Sequence, residues 1–236
     1  MKTFKVFSAL LSYPSEDLIA AAPDFLTVLD SEKLVPAAHR RALDILVEEI
    51  AVGDLYDLQE RYGLLFDRSR LLALHLFEHV HGESRDRGQA MVDLKTLYEG
   101  AGFVIAANEL PDFVPLFLEF LSTQPLAAAR ELLGQAVHIL AALAELLGRR
   151  KSSYKAIFDA LVAIAAEAPQ RDAIDELLNG PDPDPMDLVA LDAAWEEEEV
   201  RFGPGSQGQN ACGHEGLISR LRHAKRAVKP APSPLQ

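Results

Sequence analysis

The 236-residue chain carries 23 Lys and Arg against 36 Asp and Glu, a formal net charge of −13. A field of that sign repels phosphate backbones, so nucleic acid is not the expected partner; an acidic body suits basic or apolar peptides, or serves solubility alone. The single cysteine, Cys212, leaves no intramolecular disulfide and fits a reducing compartment, and the length is enough to bury a core without such staples.

From the N-terminus, Met1 to Lys5 is basic, but the apolar run Val6 to Leu11 contains Ser8 and stops at Ser12, Tyr13 and Pro14 without a small-residue cleavage site. That is not the pattern of an export signal. Val, Ile and Thr alternation is nearly absent while apolar spacings of three and four recur, so the chain reads as all-α. Pro36 suits a first helical turn, and Ala42, Leu43, Leu46, Val47 and Ile50 share one face until Gly53 breaks the run. Asp54 caps the next helix, whose buried stripe is Leu55, Leu58, Tyr62, Leu65 and Phe66. Ser69 is expected to cap a third helix through Leu71, Leu72, Leu74, Leu76, Phe77 and Val80, apolar on more than one side and therefore central.

After the polar loop His81 to Arg85, Asp86 with Gln89 three positions on resembles a capping box, opening a helix through Met91, Leu94, Leu97 and Tyr98 to Gly100 and Gly102. Pro111 to Leu121 is more apolar still, and is expected to be buried nearly all round or to line an apolar groove. Pro125 opens a long helix to about Gly148, whose most apolar stretch, Ala136 to Leu147, carries His138 and Glu145 and is too short and polar to cross a bilayer. Tyr154 to Ala166 gives another helix, and short connections imply a bundle occupying residues 1–178. Residues 179–236 change character. Pro181, Pro183 and Pro185 make a linker, Met186 to Phe202 an acidic helix with Trp195, and a Gly-rich stretch then leads to a basic amphipathic piece, Leu217 to Arg226, and a proline-rich end.

Candidate chemistry is sparse. His75 and His79 stand four apart with Glu78 between them, a spacing that suits two zinc ligands on one helical face. A zincin, however, has Glu directly after the first His, where this chain has Leu76, and a third ligand has to come from His81, Glu83 or a remote residue. The plainer reading is two interfacial histidines at a helix end. Cys212, Gly213, His214 and Glu215 contain metal-capable groups without a second Cys, and no partner orients His214 as the base for a thiol nucleophile. Glu83, Arg85, Asp86 and Arg87 put four charges at a helix start beside apolar helices. They read either as a solvated turn or as a polar gate that clamps the backbone or a carboxylate of a bound helix.

The string Leu76-Phe77-Glu78-His79-Val80-His81-Gly82-Glu83-Ser84-Arg85-Asp86-Arg87-Gly88-Gln89-Ala90-Met91-Val92-Asp93-Leu94 resembles the signature of the nitrate reductase molybdenum cofactor assembly chaperones, the delta-subunit proteins. Tyr13-Pro14, Leu65-Phe66-Asp67-Arg68, Glu109-Leu110-Pro111-Asp112, Pro115-Leu116 with Leu118-Glu119, and Ala194-Trp195-Glu196-Glu197-Glu198 extend the resemblance to about Phe202. It implies an all-helical fold of the wider TorD-like maturation family, no reaction and no cofactor of its own, and a cytoplasmic site of action without membrane insertion. The implied partner is the apo catalytic (alpha) subunit of nitrate reductase, held by its N-terminal segment while molybdenum cofactor and an iron–sulfur cluster are inserted; proteins of molybdenum cofactor biosynthesis are further partners. At Glu109 to Phe113 the chain lacks the final His of the Glu-Pro-x-Asp-His common in the wider family, so leader proofreading and guanine nucleotide binding are not carried over.

A target helix is thus expected in a groove between the Leu71–Val80 and Pro111–Leu121 helices. Its contacts are expected to be Tyr62, Leu65, Phe66, Leu76, Phe77, His79, Glu83, Arg85, Arg87, Leu110, Asp112 and Leu116. Two alternatives from other classes are a structural helical subunit of the finished enzyme and a zinc enzyme using His75 and His79.

Overall fold

Glu32, the last residue of the second helix, caps the first. Its carboxylate accepts the backbone N–H of Lys2 at 2.7 Å and of Thr3 at 2.8 Å, and the Thr3 hydroxyl at 2.8 Å. Helix α1 (Lys2–Leu10) has no side-chain cap from its own N-cap residue, Met1, so a distant residue satisfies donors that a helix start leaves open. Burial works against the ionised acid, yet the Thr3 and Lys2 amides outweigh it and hold the Glu32 carboxyl below the usual carboxylate range.

The computed structural model describes residues 1–81, 85–106 and 109–179, apart from the side chains of His81 and Arg85. The proline linker, the Trp195 helix and the basic segment expected from the sequence lie outside these residues. Among the described residues the chain is all-helical, with no strand and a single isolated bridge between His75 and Phe113. After α1 come α2 (Glu16–Glu32), α3 (Ala37–Val52), α4 (Leu55–Tyr62), α5 (Leu76–His81), α6 (Arg85–Gly100), α7 (Val114–Thr123), α8 (Leu126–Arg149), α9 (Lys155–Ile164) and α10 (Arg171–Leu178). Packing runs from α7 onto α1, α1 onto α2, α2 onto α3, α3 onto α9, and α9 onto α8, which also carries α10.

Local chemistry explains most boundaries. Ser15 caps α2 by accepting the Leu18 amide at 3.2 Å, and Asp54 caps α4 by accepting the Tyr56 amide at 2.9 Å. Pro36 and Pro125 stand at the N-caps of α3 and α8, where a missing N–H costs nothing. The core face of α3 is Leu43, Leu46, Val47 and Ile50; Ala42, expected on it, is exposed. Helix α8 is the central element, with Leu133, Val137, Leu140, Leu143 and Leu147 each at most 1% exposed.

Several expectations need correction. The helix expected from Leu71 to Val80 is broken: a π turn (Gly63–Asp67) continues α4, a 3-10 turn (Arg70–Leu72) follows, Ala73 to His75 is non-helical, and α5 starts only at Leu76. Ser69 makes no cap bond. Asp86 does not stand at the cap of α6, which already begins at Arg85, and the Gln89 side-chain amide donates forward to Asp93 at 3.0 Å. Helix α7 begins at Val114 rather than Pro111, with Pro115 in its first turn. Helix α8, at 24 residues, is long and apolar enough to cross a membrane, although its stretch Ala136 to Leu147 alone is too short; 61% of its most apolar window is buried inside the bundle, which accounts for the hydropathy. The periodicity did not single out α1, α2 with its internal Pro23, or α10, in which only Ile174 is buried.

Candidate partner-binding site

Asp112 is fully buried, and its surroundings explain why α5 starts where it does. One carboxylate oxygen accepts the Phe77 amide at 3.1 Å, so Asp112 acts as the cap of α5 from 35 positions away. The other accepts the Nδ1–H of His75 at 3.2 Å. Around it the Leu76 amide donates to the Asp112 carbonyl at 3.0 Å and the Val114 amide to the Leu74 carbonyl at 2.8 Å. The His75 ring lies 5.3 Å from the Phe113 ring, and the Tyr98 hydroxyl donates to the Pro111 carbonyl at 2.7 Å. The segment before α5 is thereby fastened to the turn before α7, and a buried carboxylate is fully satisfied.

The two histidines titrate in opposite directions. The hydrogen bond to Asp112 raises His75 above the ordinary histidine value against the effect of burial. Burial lowers His79, whose Nε2–H donates to the Ala73 carbonyl at 2.8 Å. Their bonded nitrogens serve different partners, and among the described residues no group of three His, Cys, Asp or Glu could hold a metal ion.

Of the residues expected to meet a peptide, Tyr62, Leu65, Phe66, Leu76 and Phe77 are buried. His79, Arg87 and Leu116 are half-buried, and Leu110 is 47% exposed. Glu83 and the Arg85 side chain lie outside the described residues. Leu76, Phe77 and Asp112 come together with Leu110 close by in sequence, whereas Tyr62 and Phe66 belong to an aromatic ladder with Tyr13 and Tyr154, successive centroids 5.5, 4.9 and 5.2 Å apart. Between the α5 and α7 faces, Leu76, Phe77 and Phe117, with Leu94, Leu132, Gln135 and Ala136, line a small cavity of about 20 Å³, too little for a target side chain without rearrangement.

An open apolar groove lies elsewhere, between α1 and α2. It encloses about 650 Å³ over Val6, Ala9, Leu18, Ala21, Phe25 and Val28, with Tyr13, 55% exposed, among its lining residues. The available signal was a double stripe on α2. Leu18, Ala22 and Leu29 face the core, while Ala21, Phe25 and Val28, half-buried and at helical spacing, repeat the pattern one position away.

Comparison with known proteins decides the family. The model of the family described as nitrate reductase delta subunit matches residues 32–160. The nitrate reductase molybdenum cofactor assembly chaperone NarJ of Escherichia coli K12 is 39% identical over 95% of this chain and 93% of its own length. The chain belongs to the nitrate reductase delta subunit family. A probable chaperone of the same description, NarW of the same strain, is 40% identical over 98% of this chain and 95% of its own. A probable NarJ of Bacillus subtilis is 29% identical over 73% of this chain and 93% of its own. The family model's match spans the Asp112 turn, whereas α1 and α2 lie before it up to Glu32.

Proposed function

We propose that this chain is an assembly chaperone for a respiratory nitrate reductase. In the cytoplasm it holds the apo catalytic subunit by its N-terminal segment, so that molybdenum cofactor and an iron–sulfur cluster enter before the subunit docks on its membrane anchor. The observation that carries this reading is the 39% identity, over nearly the whole chain, to a curated chaperone of that description. The protein's part is binding, not bond chemistry.

In this reading a mostly apolar helix of the target presents anchors at three and four spacing. Burying three or four of them supplies about 1.5–3 kcal/mol each before the ordering costs, enough for micromolar binding. Contact around the Asp112 turn falls to exposed Leu110 and half-buried Leu116, His79 and Arg87, with Glu83 and Arg85 as polar contacts. Leu76 and Phe77 are buried beside them, where Asp112 holds the start of α5 through the Phe77 amide, and Tyr62, Leu65 and Phe66 are buried core residues. Release follows when the loaded enzyme ties down its N-terminal segment and so binds the chaperone more weakly.

Two measurements test the proposal. Calorimetry with a peptide of the catalytic subunit's N-terminal segment should show binding that Leu110→Asp weakens strongly and Arg87→Ala weakens less. Nitrate reductase produced without the chain should be poor in molybdenum and inactive; a fully metallated, active enzyme would refute the reading.

A further inference from the structure

The groove between α1 and α2 has a chemical asymmetry that specifies its occupant. Asp17 and Asp24 stand on the α2 lip, both exposed and without an ion pair among the described residues. They are seven positions apart, two helical turns or about 10 Å along the axis. Lys2 and Lys5 stand on the opposite lip, and Lys5 is paired with Glu119 at 3.8 Å. One lip therefore offers two unmet negative charges, and the other is positive with part of its charge already answered.

The floor is apolar, and its hydroxyls are spent: Ser12 donates to the Ser8 carbonyl at 2.9 Å, and Ser15 caps α2. Little on the floor is left to orient a polar small molecule. An extended peptide would lay unpaired backbone N–H and C=O groups against side chains that cannot bond them, whereas a helix satisfies its own. The volume of about 650 Å³ suits a few apolar side chains rather than a whole domain face. Tyr13, edge-on to Tyr62 at 5.5 Å, is 55% exposed, an aromatic surface for a cation or another ring.

We infer that the α1–α2 groove seats an amphipathic helix of the target, apolar face down, with Lys or Arg side chains one to two turns apart along the flank that faces Asp17 and Asp24. This rests on the chaperone reading for the source of the helix, and adds the seat and the charge pattern that recognises it.

The test uses the full chain and a synthetic peptide of the catalytic subunit's N-terminal segment, titrated by calorimetry. The double variant Asp17→Lys/Asp24→Lys, on exposed residues that leave the core untouched, should weaken binding about tenfold at low salt, with the difference shrinking as salt is added. Ala21→Glu should weaken it further by placing a charge on the floor, and thermal melts of each variant report whether it is folded. If the wild-type chain binds the peptide and the double variant binds it within about twofold, the groove is not the seat, although the chaperone reading stands. If the wild-type chain does not bind the peptide, the chaperone reading itself fails. A concentration-dependent dimer in light scattering that the double variant abolishes would assign the groove to a second copy and overturn the inference.

Discussion

His75 and Asp112 stand 37 positions apart in the chain, and their side chains meet at 3.2 Å. The contact joins the entry of α5 to the entry of α7, and the same carboxylate holds the Phe77 amide. Asp112→Ala should therefore lower stability by about 2–4 kcal/mol, because it leaves a buried amide and an imidazole without acceptors. Urea unfolding followed by far-ultraviolet circular dichroism measures the loss. Asp112→Asn, which keeps one acceptor, should lose less.

The histidine pair gives a pH dependence with a definite sign. His75 is raised, so its protonated form is favoured by folding; that stabilisation is complete below the ordinary value of 6.5 and fades as pH climbs through the raised value. His79 is lowered, so its contribution is complete above 6.5 and is lost as pH falls through the lowered value. His75→Gln should thus cost most in acid and least in base, and His79→Gln the reverse. Urea midpoints from about pH 5.5 to about pH 8.5 would show crossing curves, and parallel curves would contradict the assignment.

Glu32 closes the N-terminus of α1 from the far end of α2. Glu32→Ala should cost about 1–2 kcal/mol, the size of a lost helix cap. Because its carboxyl sits below the usual range, the stabilisation is present above the unfolded value and disappears as pH falls through the folded one. The variant should lose less stability than the wild type on acidification to about pH 3, checked by thermal melts.

Two glycines should respond in opposite directions. A Cβ on Gly53 would lie 2.7 Å from the Glu49 carbonyl oxygen and 3.0 Å from Leu58, so Gly53→Ala should destabilise the α3–α4 corner by about 1–3 kcal/mol. A Cβ on Gly88, inside α6, would meet nothing within 4 Å, so Gly88→Ala should stabilise by about 1 kcal/mol through helix propensity. Calorimetric melting of both variants checks the pair.

Local chemistry made much of the fold legible. Asp54 at its cap, Pro36 and Pro125 at helix starts, and the α3 face from Leu43 to Ile50 all follow from rules that act within one turn. The stretch from Leu71 to Val80 has helical apolar spacing yet is not one helix, because the cap that sets the true start, Asp112, comes from a remote part of the chain. No local pattern announces such a partner. The apolar Pro111 to Leu121 segment was expected either to be buried or to line a groove, and the structure realises burial: Val114, Phe117, Leu118, Phe120 and Leu121 pack into the core. The open groove has no signature in the apolar periodicity, because both its walls come from helices that periodicity does not single out.

The π turn at Gly63–Asp67 accommodates one residue more than an α-helix would hold over the same rise. Excising any one residue there would close the wide turn into an ordinary α-helical one and turn the Phe66 side chain by tens of degrees around the axis. Phe66 would then leave its place between Tyr62 and Tyr154. Length is therefore fixed at this spot in a way it is not in the chain's exposed connections, and a one-codon deletion here should be far less tolerated than one in a surface loop.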